Sequence, residues 1–183
     1  MIVFSLYACN KGPSKPDLTG ITVGVELRHF EQDLFNIDTN NTAAELDRLM
    51  QDYPAFSDIY FGQLFPVFDS VLFPEGPTVI INGFLSDSMV LVMYEQSQEL
   101  YKDLSGNAFE EAFKYFKYYF PDRQVPDITT FVSEYTVSNF IYAENSLAVG
   151  LDFFLGADYP YLLLNAGNPN FSNYLSQHYN KDY

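Results

Sequence analysis

The stretch "DITTFVSEYTVSNFIYAENSLAVGLDFFLG" (Asp127–Gly156) decides the fold class of this chain. "ITTFVSEY" and "NFIYAE" are rich in β-branched and aromatic residues, which suit a pleated, half-buried surface. "SLAVGLDFF" follows across the turn residues "ENS". Strand-like pieces separated by so short a turn predict local, antiparallel pairing. One more strand is expected far upstream. In "ITVGVELRHF" (Ile21–Phe30), Ile21, Val23, Val25, Leu27 and His29 share one parity, the period-two pattern of a half-buried strand.

Helical patterns lie between these regions. "NTAAELDRLMQDYP" has Thr42 at a cap position and Glu45 three residues on, the spacing of a capping box. Leu46, Leu49, Met50 and Tyr53 then recur at helical spacing, and Pro54 stops the helix and can open the next, "AFSDIYFGQLF". "FPEGPTVIINGFL" (Phe73–Leu85) carries turn residues and is expected to be a loop with a short extended piece. A third helix is predicted over "SDSMVLVMYEQSQELYKDLSG", ending at Gly106. In "NAFEEAFKYFKYYFPDRQVP", Asn107 can cap, and Phe109, Phe113, Phe116 and Phe120 line one face before Pro121. Such a stripe is expected to pack into the core. "YPYLLL" and "YLSQHYNKDY" are read as further helical starts, with "NAGNPNFSN" as loop. Helices followed by a cluster of strands predict an α+β domain with helices on a small antiparallel sheet.

With 183 residues, 48% of them hydrophobic, the chain is long enough for one domain with a true core. Its net charge of −15 and nine scattered basic residues exclude nucleic acid as a partner, because phosphate recognition needs clustered Lys and Arg. The same balance excludes electrostatic adsorption to anionic lipid. No apolar run reaches the roughly 18 residues that span a bilayer.

The single cysteine is Cys9, in "LYAC" ahead of "NKGPSKPDLTG". An aliphatic residue at −3, a small residue at −1 and the cysteine itself make a lipobox, in which the thiol carries the diacylglycerol. The stretch that follows has the composition of a tether. Residues 1–8 are therefore read as the remnant of a lipoprotein signal peptide. Residues 9–20 are the lipidated cysteine with its tether, and 21–183 a single domain expected to be truncated at its C-terminus.

Catalytic signatures are sparse. Neither a phosphate-binding glycine loop, nor "GxSxG", nor "HExxH" occurs. His29 and His178 are the only histidines and are read as packed or solvated. Glu144, Asp152 and Asp158 lie close together in sequence. Carboxylates can perform general acid–base work or hold calcium, and an Asp near a strand end can equally bond free backbone N–H groups. The tyrosines Tyr115, Tyr118, Tyr119, Tyr135, Tyr142, Tyr159 and Tyr161 suit either an interface or a core without Trp.

The order of "VELRHFEQDLFNID", "DYPAFSDIYF", "FKYYFP", "PDITTFVS" and "GLDFFLGADYPY" behind a lipobox resembles the gliding motility lipoprotein GldB family of Bacteroidetes. The resemblance implies a membrane-anchored envelope lipoprotein facing the periplasm. It implies a non-enzymatic component that meets other envelope motility proteins, and no cofactor. It also implies a fold distantly like zinc metallopeptidases without the metal motif. A hydrolase of that type, with ligands beyond this fragment, is the alternative. A glycan- or cation-binding domain using the tyrosines and the Asp152/Asp158 region is the third.

Overall fold

The computed structural model describes residues 15–161 and 171–180. Among these, seven α-helices accompany one four-stranded sheet. Strand β1 (Leu27–His29) runs directly into helix α1 (Phe30–Phe35). Helices α2 (Thr42–Asp52), α3 (Pro54–Ile59), α4 (Pro77–Ser86), α5 (Ser88–Leu100) and α6 (Glu110–Tyr119) follow. Then come β2 (Asp127–Phe131), β3 (Asn139–Tyr142) and β4 (Ser146–Gly150), with a short α7 (Asn173–Ser176) near the end.

The fold is α+β, but the sheet is mixed rather than antiparallel. Its order is β1-β2-β4-β3. β1 pairs with β2 in parallel, β2 with β4 in parallel, and only β3 with β4 is antiparallel. Two connections explain this. Residues 30–126 form a helical crossover that returns the chain to the end of the sheet where β1 began, which makes β2 parallel to it. The β3–β4 hairpin is local, but β4 inserts between β2 and β3, so it meets β2 in parallel.

The predicted strand over Ile21–Phe30 shrinks to three residues. Ile128 N–H donates to Glu26 O at 2.8 Å, and the ladder stops there because the residue before β2 is Pro126, which has no N–H to give. The capping box does not form either. Asn41 takes the N-cap position of α2, and Thr42 is the first helical residue. The Thr42 hydroxyl instead donates to Asn82 Oδ1 at 2.6 Å, tying α2 to α4. Most of the stretch predicted as loop, Phe73–Leu85, is helix α4 from Pro77 on. Gly76 turns the chain at φ 83°, Pro77 sits at the first helical position, and Ile81 and Phe84 are buried. The turn residues that suggested a loop mark the entry to a helix.

The core lies between the α2–α3 layer and one sheet face. Phe30 is at its centre, with the rings of Tyr53, Phe56, Tyr60 and Phe61 within 5.9 Å of it. Phe131, Phe140 and Tyr142 supply the sheet side of the cluster through Phe56. Such edge-to-face contacts supply the shape-specific packing that a core without Trp needs.

Candidate functional site

Functional groups of sheets with parallel strands gather where those strands end. β1, β2 and β4 share one direction, and three separate polar groups lie at or near their carboxyl ends. The first is Asp152, in the 3₁₀ turn Leu151–Phe153 after β4, fully buried. Its Oδ2 accepts from the N–H of Tyr135 at 2.6 Å and from the N–H of Ser133 at 3.2 Å. Oδ1 has no hydrogen-bond partner. Burial pushes the carboxyl up to about 6, against the pull of those backbone donors.

The loop that Asp152 holds is strained. Glu134 and Tyr135 have φ of 50° and 63°, left-handed values that cost a non-glycine residue of order 1 kcal/mol each. Two charge-assisted bonds to one buried oxygen keep this loop in place. Gly150 makes room for it: a Cβ there would lie 2.7 Å from Val137 O and 3.1 Å from Asp152 Oδ1.

The second group is His29, the last residue of β1. Its Nδ1 lies 3.2 Å from Oε1 of the fully buried Glu31 and 3.1 Å from Thr130 Oγ1. The Thr130 hydroxyl donates to Glu31 Oε2 at 2.8 Å. The bond to Glu31 raises the imidazole pKa, partly offset by desolvation. The third group lies across the sheet, where the Arg28 guanidinium sits 3.8 Å above the Tyr53 ring. The Tyr53 hydroxyl donates to Asp33, and burial raises its pKa. Sequence reasoning did not single out the His29–Glu31–Thr130 network. The available signal was a histidine two residues before an acid at a strand-to-helix junction.

The three acidic residues chosen from the sequence are not brought together. Glu144 is exposed in the hairpin turn at the amino end of β4, while Asp152 follows its carboxyl end. Asp158 is exposed in the turn after Gly156. Cys9 lies outside the described residues, as do the last three residues of "YPYLLL". Among the described residues, no three His, Cys, Asp or Glu side chains are grouped so as to hold a metal ion. With Oδ2 of Asp152 engaged by backbone donors, this carboxyl holds the loop at Ser133–Tyr135 in place. The described architecture lends no support to a metallopeptidase likeness.

The tyrosines divide. Tyr161 is buried and stacks on Phe171 at 5.5 Å, and the Tyr135 and Tyr159 hydroxyls bond at 2.6 Å. Tyr118 and Tyr119 stand exposed on α6. The phenylalanine stripe of that helix does not form core: no residue of α6 is buried. The helix lies over the second sheet face with a cleft at each end. One, of about 510 Å³, is lined by Phe109, Thr130 and Val149. The other, of about 410 Å³, is lined by Phe116, Phe120, Ile141 and Leu147, with Arg123 and Glu144 at hand.

A family model described as gliding motility protein GldB matches residues 11–183. No curated protein and no solved structure matches the chain.

Proposed function

Since the chain belongs to the gliding motility protein GldB family, we propose that it is a non-enzymatic, membrane-anchored lipoprotein of the cell envelope that docks onto other envelope proteins of the motility machinery. The observation that carries this reading is the family match over nearly the whole chain. Cys9 is the anchor and residues 9–20 the tether, with the folded domain from residue 21 facing the periplasm. Lipobox cysteines carry more than one acyl chain, which makes anchoring stable where one chain is not.

The surface over α6 supports a docking role. Tyr118, Tyr119 and Phe120 are exposed there beside Ile141 on the edge strand β3. Aromatic residues at exposed positions are favoured at protein interfaces. Replacing Cys9 with Ala in the native host is expected to move the chain from the membrane to the soluble fraction and to abolish gliding. Retention in the membrane fraction by the variant would remove Cys9 as the anchor, and normal gliding would remove the motility role. The triple variant Tyr119→Ser, Phe120→Ser, Ile141→Ser is expected to stay anchored and folded but to lose cross-linking to envelope proteins.

A further inference from the structure

The sheet has two edges, β1 and β3, and the chain treats them differently. An open edge offers unpaired N–H and C=O groups to any other strand, and proteins guard it with charge, Pro or covering chain. β1 carries Arg28 and His29. The chain just ahead of it is covered at Val25, whose carbonyl a Cβ on Gly106 would strike. β3 has no such guard. No charged residue and no Pro occurs from Tyr135 to Ala143, and no strand lies beyond β3 among the described residues.

The ladder fixes which backbone groups that edge presents. Asn139 stands opposite Val149, Phe140 opposite Ala148 and Ile141 opposite Leu147. The Gly150 N–H donates to Ser138 O at 2.7 Å, which makes that pair, and every second pair from it, the hydrogen-bonded ones. Phe140 and Tyr142 therefore bond to β4, and the N–H and C=O of Asn139 and Ile141 point outward, away from β4. Side chains alternate between the two faces. Phe140 and Tyr142 reach Phe56 in the core. Ile141 lies on the α6 side, 77% exposed, in one cleft with Phe116 and Phe120. Two such edges fit each other. Antiparallel pairing of Asn139 with Ile141 of a second copy engages every one of these outward groups in both copies.

We propose that β3 pairs with β3 of a second copy in this antiparallel register, joining two domains through one continuous sheet. The two-fold axis passes between the two Phe140 residues and closes the pair, so assembly stops at a dimer. Both α6 helices then lie on one face of the joined sheet, with Ile141 of each copy beside the seam. A second copy is favoured over a foreign strand because β3 is its own antiparallel complement. It is also the uncharged edge of a chain with net charge −15, so two copies meet without acid opposite acid along the strand. The seam is short and the pairing weak in free solution. Anchoring both copies in one membrane raises their effective concentration and turns weak pairing into dimers. For that biology the inference rests on the lipoprotein reading, and it names an occupant for the Ile141 side of the α6 surface.

The test uses the full chain with Cys9→Ser, so that neither acyl chains nor a Cys9 disulfide contributes, in sedimentation equilibrium over a concentration series. A monomer–dimer equilibrium is expected. It should strengthen as salt rises, because screening weakens the repulsion between two acidic copies. Ile141→Glu should weaken it at least roughly tenfold. Asn139→Pro should weaken it roughly tenfold, by removing an outward N–H that β4 does not use. Both positions are exposed, and an unchanged circular dichroism melt checks the fold. For the register, Asn139→Cys and Ile141→Cys chains are mixed under mild oxidation, and the mixed disulfide should form several-fold faster than either homodimer. A monomer at every concentration overturns the proposal. So does a dimer that both variants leave intact, or one that salt dissociates, since other surfaces would then hold it. Homodimeric disulfides that outpace the mixed one overturn the pairing. A monomer in solution with envelope cross-linking intact in cells sinks this inference alone, and loss of that cross-linking leaves the dimer measurable.

Discussion

Asp152 is a carboxyl whose environment reverses the usual sign of acid stabilisation. Its pKa in the folded protein is about 6, above its ordinary value of 3.8. Between those two pH values the folded state holds a proton that the unfolded state has released, so stability falls as pH rises through the window. Asp152→Asn keeps an acceptor for Tyr135 and removes the charge. Urea unfolding of this variant is expected to show a flatter pH dependence between about pH 4 and pH 6 and higher relative stability at neutral pH. An unchanged slope would assign the titration to another group. Gly150→Ala tests the same cluster from the other side. A Cβ 2.7 Å from Val137 O must displace backbone, and a loss of about 1–3 kcal/mol is expected by thermal or urea unfolding. Asp152 could be picked out from its place after a strand-like run. Its partners could not, because Ser133 and Tyr135 reach it only through the left-handed turn at Glu134 and Tyr135.

Helix α6 separates what periodicity reveals from what it conceals. The spacing of Phe113, Phe116 and Phe120 identifies the helix and its apolar face, and Glu110–Tyr119 is indeed helical. Periodicity does not say how closely that face meets its neighbour, and here clefts at both ends leave every side chain at least partly exposed. Phe113→Ala is therefore expected to cost about 1 kcal/mol or less, whereas Phe56→Ala, at the centre of the ring cluster, should cost about 3–5 kcal/mol. Equal losses in urea titrations would mean that α6 is as tightly seated as α3. The same limit explains α4 and β1. The Pro and Gly residues that start α4 read locally as a loop, because the burial of Ile81 and Phe84 that makes the helix worthwhile is tertiary. The alternation of Ile21–His29 is real, but a strand extends only as far as its partner offers hydrogen bonds. β2 and β3 were readable because each is a short β-branched or aromatic run between turns, and β4 because it follows β3 directly across the turn residues before Ser146. Their order in the sheet was not, since nothing local places β4 between β2 and β3.

Over the whole molecule, the net charge of −15 works against compaction, because like charges repel more strongly in the folded state than in the extended chain. Only four ion pairs join Lys or Arg to an acid among the described residues, three within single helices and one, Lys102 to Glu99, across the end of α5, and such exposed pairs contribute little. Two titrations, one half-buried and one fully buried, act in the same direction as this repulsion. His29 has a raised pKa in the folded protein, so its stabilising bond to Glu31 is complete below 6.5 and is lost as pH rises through the folded value. Asp152 adds stability as pH falls below about 6. Melting temperature is therefore expected to rise as pH is lowered from about 8 to about 5. At neutral pH it should also rise between about 0.01 M and about 1 M of a weakly interacting salt, as the screening length shrinks from about 30 Å to about 3 Å. His29→Gln should lower the gain above pH 6 and leave the salt response intact, because repulsion among the carboxylates does not pass through the imidazole. A salt response that disappears with His29 would place the electrostatic strain of this molecule in the His29–Glu31 network rather than in its overall charge.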